Sequence, residues 1–233
     1  MPYPSAPEQP ERRRLLASLA AVSAVACLPQ AARAGAQREE TLSDDVTSVM
    51  RHSVNNVNPP RLVFENPYNA PRWLNDMSLR LARFVPDPLE RRRLLINIQY
   101  ETTRAGLDTQ LILGLIEVES AFRQYAISSV GAKGLMQVMP FWTRVLGNGD
   151  ADALFRMRIN IRYGCVILRH YLDLENGNLF MALGRYNGSR GQSAYPDAVF
   201  AAWKRWRFQP SDVASPHHLF PSTDRSSAAS PLD

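Results

Sequence analysis

The chain has 233 residues, 45% of them hydrophobic and 9% aromatic, which suits one domain with a core plus appendages and excludes a wholly disordered chain. Its net charge of +5 is carried almost wholly by arginine, yet the basic residues are scattered and never interleave with aromatics, so no nucleic-acid partner is expected. Cys27 and Cys165 are too few for a disulfide scaffold, and His52, His170, His217 and His218 lack ligand spacing, so neither a metal nor any other cofactor is expected.

In chain order, Arg12-Arg13-Arg14 precedes an apolar run from Leu15 to Leu28. The small residues Ala31-Ala32-Arg33-Ala34-Gly35-Ala36 follow, with an A-x-A site ending at Ala34 or Ala36. That order of charge, apolar run and small residues is a secretory signal. The run is shorter than the about 20 residues that span a bilayer. Residues 1–36 are therefore expected to be a signal peptide and the mature chain periplasmic. The paired arginines also suit a twin-arginine exporter. Ala24-Val25-Ala26-Cys27 matches a lipoprotein box poorly, so a membrane is a partner only if Cys27 is lipidated. Without residues 1–36 the chain keeps 23 basic and 20 acidic residues, or +3, too mild to specify a partner.

Residues 37–70 are polar and then Pro/Asn-rich, the composition of a linker with one short helix near Leu42–His52. Residues 71–207 read as an all-α domain. Pro71 suits a first helical turn, and Trp73, Leu74, Met77, Leu79, Leu81 and Val85 form an apolar stripe. Asp87, Pro88 and Glu90 are a helix start, and the helix they open carries Leu89, Leu94, Leu95, Ile98 and Tyr100 and stops near Gly106. Asp108 caps a third helix through Glu119. Pro140 opens a short helix to Leu146, and a long one is expected from about Asp152 to Glu175. Two more are expected, Asn178 to Tyr186 and Ala194 to Trp206. Residues 208–233 are Ser/Pro-rich and expected to be a disordered tail. Cys165, among Val166, Ile167 and Leu168, reads as a small core hydrophobe.

The third helix, Leu111 to Glu119, is apolar nearly all round, which places it at the centre of a domain. Glu119 near its C-terminal end is disfavoured as an anion by burial and by the negative end of the helix dipole, so its pKa is expected to rise. A carboxyl that keeps its proton near neutrality is what a general acid requires. From the helix alone, a core-edge glutamate paired with an arginine remains the commoner case. Glu117, about 200° around the helix, faces elsewhere and takes that ordinary reading.

After Glu119-Ser120 come Ala126-Ile127-Ser128 and then Gly131-Ala132-Lys133-Gly134-Leu135-Met136-Gln137-Val138-Met139-Pro140. Asn160-Ile161, Gly164, Ala182-Leu183 and Tyr186-Asn187 follow in order. These blocks, between Leu107 and Arg207, resemble the lytic transglycosylase catalytic domain of the soluble-lytic-transglycosylase type, with its goose-type-lysozyme-like core. The resemblance implies a compact lysozyme-like fold and Glu119 as acid and base. It also implies that Ser128, Gln137, Met139, Tyr186 and Asn187 line the glycan groove or position the carboxylate. Where the family reads Tyr-Asn-Ala-Gly, this chain has Tyr186-Asn187-Gly188-Ser189, which leaves that loop's conformation open.

Glycosidases commonly flank the scissile bond with two carboxylates. No Asp or Glu occurs between Glu119 and Asp150. One acid suffices in the family this chain resembles, where the muramic C6 hydroxyl attacks its own anomeric carbon. The implied activity is cleavage of the MurNAc-GlcNAc β-1,4 bond of peptidoglycan glycan strands with formation of 1,6-anhydroMurNAc. A muramidase using water, an inactive binding module, and a component of secretion, conjugation or cell-wall machinery stay open as alternatives. Asp150 or Asp152 folding towards Glu119 would favour the muramidase.

Overall fold

The computed structural model describes residues 37–55 and 58–209, so the signal-peptide reading, Cys27 and nearly all of the tail lie outside the described residues. Side-chain caps set where four of the eight α-helices begin among the described residues. Ser43 accepts from the Val46 amide at the start of α1, Asp44–Val54. In α2, Asn69–Leu81, the helix starts two residues before Pro71, because the Asn69 and Ala70 amides already bond Asn66 and Pro67 carbonyls. Asp87 accepts from Leu89 and Glu90 amides at 2.7 and 2.8 Å and opens α3, Pro88–Arg104. Asp108 accepts from the Leu111 amide at 2.7 Å and opens α4, Thr109–Ser120. Pro140 precedes α5, Phe141–Leu146, and Asn178 caps α7, Leu179–Asn187. The last helix is α8, Ala194–Arg205. Among the described residues there is no strand and no helix long and apolar enough to cross a membrane.

The helix expected from Asp152 to Glu175 is broken. Residues Ala151–Phe155 form a 3-10 turn, Arg156 is extended (ψ 116), and α6 runs over Met157–Leu174. The reason is local competition for backbone groups. Asp150 takes the Asp152 and Ala153 amides, and the Asn160 side-chain amide takes the Leu154 carbonyl that a continuous helix would give to residue 158.

Leu111, Ile112, Leu113, Leu115 and Ile116 are all buried, so α4 is the central helix its composition predicts. α8 crosses it at Gly114, where an added Cβ would stand 2.6 Å from the Trp203 amide nitrogen. Only a residue without a side chain lets the two backbones approach so closely. Leu79 and Leu89, counted into the apolar stripes of α2 and α3, are 70% and 68% exposed. Their partners in those stripes face the core.

The segment read as a linker adds buried residues to this core. Met50 and Val54 of α1 are buried, and Leu62 and Phe64 pack against the cluster. Its charged anchor is Glu101 on α3, only 1% exposed and bonded by Arg104, Arg158 and Arg162. Burial pushes the Glu101 carboxyl up, but Arg162, Arg158 and Arg104 outweigh it and hold the pKa below its ordinary value. Arg162 and Arg104 also donate to the Val54 and Ser53 carbonyls, tying the end of α1 to α3 and α6. Cys165 on α6 is buried and its thiol pKa is pushed well up by burial, as suits a core residue.

Candidate active site

Glu119 lies in the last turn of α4 and is 5% exposed. The chain leaves the helix through Ala121 (φ 49) and Phe122 (φ 61), two successive left-handed residues that are not glycine. Such a conformation costs about 1–2 kcal/mol per residue. Phe122 offsets it by burial, its ring 5.1 Å from Phe84 and 5.4 Å from Trp206. This sharp exit turns the following loop back towards Glu119. Ser120 fixes the return, its hydroxyl donating to the Leu135 carbonyl at 2.7 Å.

The Tyr195 hydroxyl donates to Glu119 Oε1 at 2.5 Å, whereas the buried Oε2 has no partner among the described residues. Burial pushes the Glu119 pKa up to about 8, against the opposing pull of the Tyr195 hydrogen bond. At neutral pH the carboxyl therefore holds its proton. Glu117 does the opposite. It accepts from Arg205 at 2.8 Å, Arg83 at 3.4 Å and the Trp206 indole at 2.6 Å, the arginine-paired state expected for it.

The loop from Ala126 to Pro140 is shaped by side chains that bond its backbone. Asn160 of α6 accepts from the Met136 amide at 2.7 Å and donates to the Lys133 carbonyl at 2.8 Å. Gly134 (φ 78) sits against this staple, and a Cβ there would lie 2.3 Å from Asn160 Nδ2 and 2.5 Å from the Leu154 carbonyl. Lys133 and Val138 exchange backbone hydrogen bonds of 2.9 and 3.0 Å.

Gln137 is 1% exposed and its amide donates to the Gly134 and Ala126 carbonyls at 2.8 and 3.2 Å. Tyr186 is fully buried, its hydroxyl donating to the Met136 carbonyl at 2.7 Å. Both side chains point into the protein and hold the loop from behind. Ser128 is half-buried and accepts from the Ala132 amide at 3.0 Å, and Met139 is half-buried just before α5. Asn187 is buried and accepts from the Ser189 hydroxyl at 2.9 Å. Gly188 (φ 83) closes α7 in the left-handed region, which settles the loop that Tyr186-Asn187-Gly188-Ser189 left open.

The next two carboxylates after Glu119 in sequence, Asp150 and Asp152, are engaged with other groups. Asp150 caps the 3-10 turn and pairs with Arg156 at 3.2 Å, and Asp152 pairs with Lys133 at 2.9 Å with its side chain 85% exposed. Among the described residues no cluster of histidine, cysteine and carboxylate could hold a metal. A cavity of about 520 Å³ between α1, α3 and α6 is bounded by Met50, Glu101, Arg162 and His170 and does not include Glu119. Tyr195 was not apparent from sequence. It lies 76 residues from Glu119 in the first turn of α8, where an aromatic residue reads as core.

Residues 96–198 match the family described as Transglycosylase SLT domain. The chain is 43% identical over 115 residues to the membrane-bound lytic murein transglycosylase C of Haemophilus ducreyi, covering 43% of this chain and 31% of that protein. It is 36% identical over 136 residues to the protein of the same name from Histophilus somni, covering 52% and 35% respectively. The transglycosylase of Enterobacteria phage PRD1 is 37% identical over 88 residues, covering 38% and 32%. The chain thus spans about a third of the length of these curated relatives. The matched segment contains Glu119, the Ala126–Pro140 loop, Tyr186 and Tyr195, so the site lies within the part of the chain that is similar to the transglycosylase SLT domain family.

Proposed function

We propose that this protein is a peptidoglycan lytic transglycosylase that works in the periplasm after export. It cleaves the MurNAc-GlcNAc β-1,4 bond and leaves 1,6-anhydroMurNAc, with Glu119 as the single acid and base. The observation that carries this reading is a buried glutamic acid, pKa about 8, with one oxygen engaged and the other unpartnered. Tyr195 occupies Oε1, so the transferable proton belongs on Oε2. A bound strand would have to bring its glycosidic oxygen to this buried atom to take the proton. As the bond breaks, the departing sugar keeps that proton and Glu119 becomes an anion, which the Tyr195 hydroxyl stabilises. The C6 hydroxyl of the muramic residue then attacks its own anomeric carbon and returns a proton to Glu119, so no water enters the products.

Among the described residues no second carboxylate is among the causes acting on Glu119, which favours internal attack over hydrolysis. Asp150 and Asp152 are engaged with Arg156 and Lys133, and burial and Tyr195 are the causes that set the Glu119 pKa. Ser128 and Met139 would contact the glycan. Gln137, Tyr186 and Asn187 would position the backbone that faces it. Digestion of purified murein by the wild type and by Glu119→Gln, followed by product mass analysis, tests the reading. Anhydro products from the wild type and none from the variant are expected. Products heavier by one water would make the enzyme a muramidase, and unchanged cleavage by Glu119→Gln would remove Glu119 from the mechanism.

A further inference from the structure

Gln37 stands 100 residues from Gln137 in sequence, yet its side chain is 4% exposed and bridges two backbone groups of the loop. Its Nε2 donates to the Gln137 carbonyl at 3.0 Å, and its Oε1 accepts from the Met139 amide at 2.9 Å. These groups point away from the Lys133–Val138 bridge, because the C=O and N–H of one trans peptide point in opposite directions and the Val138 N–H and C=O of these two peptides bond Lys133. Among the described residues no strand lies there to receive them. One glutamine carboxamide, with the donor and acceptor of a peptide group, replaces it.

Gln137 has a φ of 48, a left-handed backbone that a residue other than glycine keeps only when its surroundings over-determine it. Its own side chain holds the inner side through Gly134 and Ala126, and Gln37 holds the outer side. The strap that carries Gln37 is fastened further along. Glu39 pairs with Arg144 on α5 at 3.4 Å, and Glu40 pairs with Arg185 on α7 at 2.9 Å, next to Tyr186.

We propose that Gln37 is a positioning residue for the reaction at Glu119, setting the backbone of Gln137 and Met139 in the loop that faces the glycan. This deepens the proposed function and rests on it. Displacement of a reacting partner by about 1 Å can cost on the order of a hundredfold in rate. The test uses the full chain and soluble, uncrosslinked peptidoglycan strands, with kcat and KM measured well below each variant's melting temperature.

Gln37→Ala is expected to lower kcat roughly tenfold or more, with a smaller change in KM. Gln37→Glu separates positioning from general stability. As a carboxylate it accepts from Met139 but cannot donate to the Gln137 carbonyl, and once protonated it can do both. Its rate relative to wild type is therefore expected to recover as the pH falls from 7 to 5. A Gln37→Ala enzyme as fast as wild type, or a flat Gln37→Glu ratio, overturns the proposal. A faster Gln37→Ala enzyme overturns it too and makes the strap a plug over the groove. Wild-type protein that cleaves nothing, or Glu119→Gln that cleaves normally, instead refutes the functional reading and this proposal with it.

Discussion

Replacing Glu119 by glutamine is expected to make the protein more stable at neutral pH while abolishing its activity. The folded chain holds the Glu119 proton up to about pH 8, against an ordinary value of 4.5. A group whose pKa is raised by folding contributes stability that is fully present below the unfolded value and lost as the pH rises through the folded one. At pH 7 the unfolded chain has released this proton and the folded chain has not. The interval from 4.5 to 7, at about 1.36 kcal/mol per pH unit, amounts to a loss on the order of 3 kcal/mol.

Glutamine is neutral throughout and still offers an oxygen to the Tyr195 hydroxyl, so it escapes this loss. Thermal or urea melts of both proteins at pH 4, 5.5, 7 and 8 would measure the effect. The variant should gain on wild type as the pH rises, by on the order of 5–10 °C in Tm at pH 7, and the two should converge near pH 4. A variant that tracks wild type at every pH, or is weaker at pH 7, would show that Glu119 is ionised in the folded chain. The general-acid assignment would then lose its physical basis.

Tyr195→Phe removes the hydrogen bond that pulls the Glu119 pKa down, so the alkaline limb of the pH–rate profile should move upward by roughly one pH unit or more, since a hydrogen bond to a charged group is worth about 1.5–3 kcal/mol. A limb that stays in place or moves downward contradicts the assigned geometry. Glu101→Gln leaves Arg162 buried without its anion and should cost about 3–5 kcal/mol in urea unfolding. A loss below about 1 kcal/mol would show that the cluster is as weak as an exposed ion pair. Gly134→Ala forces a Cβ onto Asn160 and the Leu154 carbonyl at a positive φ, and should sharply reduce murein cleavage. Wild-type turnover by that variant would mean that the Asn160 staple does not govern the loop.

Helix starts were legible wherever the cap was local. Asp87, Asp108 and Asn178 each accept from an amide two or three residues ahead, so the signal and its effect share one short window. The long helix from Asp152 failed because its interruption depends on Asn160 being drawn to both Leu154 and the Lys133 loop. Leu79 and Leu89 were read inward because periodicity locates a stripe but not its edges. The segment 37–70 read as a linker because its few apolar residues carry little weight in composition. Met50 and Val54 nevertheless bury against helices that lie far ahead in sequence.

The sequence by itself determined an all-helical domain, the central position of α4, and Glu119 as a carboxyl disfavoured in its charged form. Each depends on periodicity, capping or the end of one helix, all properties of neighbouring residues. Only the tertiary structure decided which groups surround that carboxyl. Tyr195 reaches it from a helix 76 residues away, and Gln37 reaches its loop across 100. Hydrogen bonds between distant segments leave no periodic trace, because a tyrosine or glutamine that will be buried and bonded looks the same in sequence as one that will not. For the same reason, only packing could show that Gln137 and Tyr186 hold the loop from within, and that one oxygen of Glu119 has no partner among the described residues.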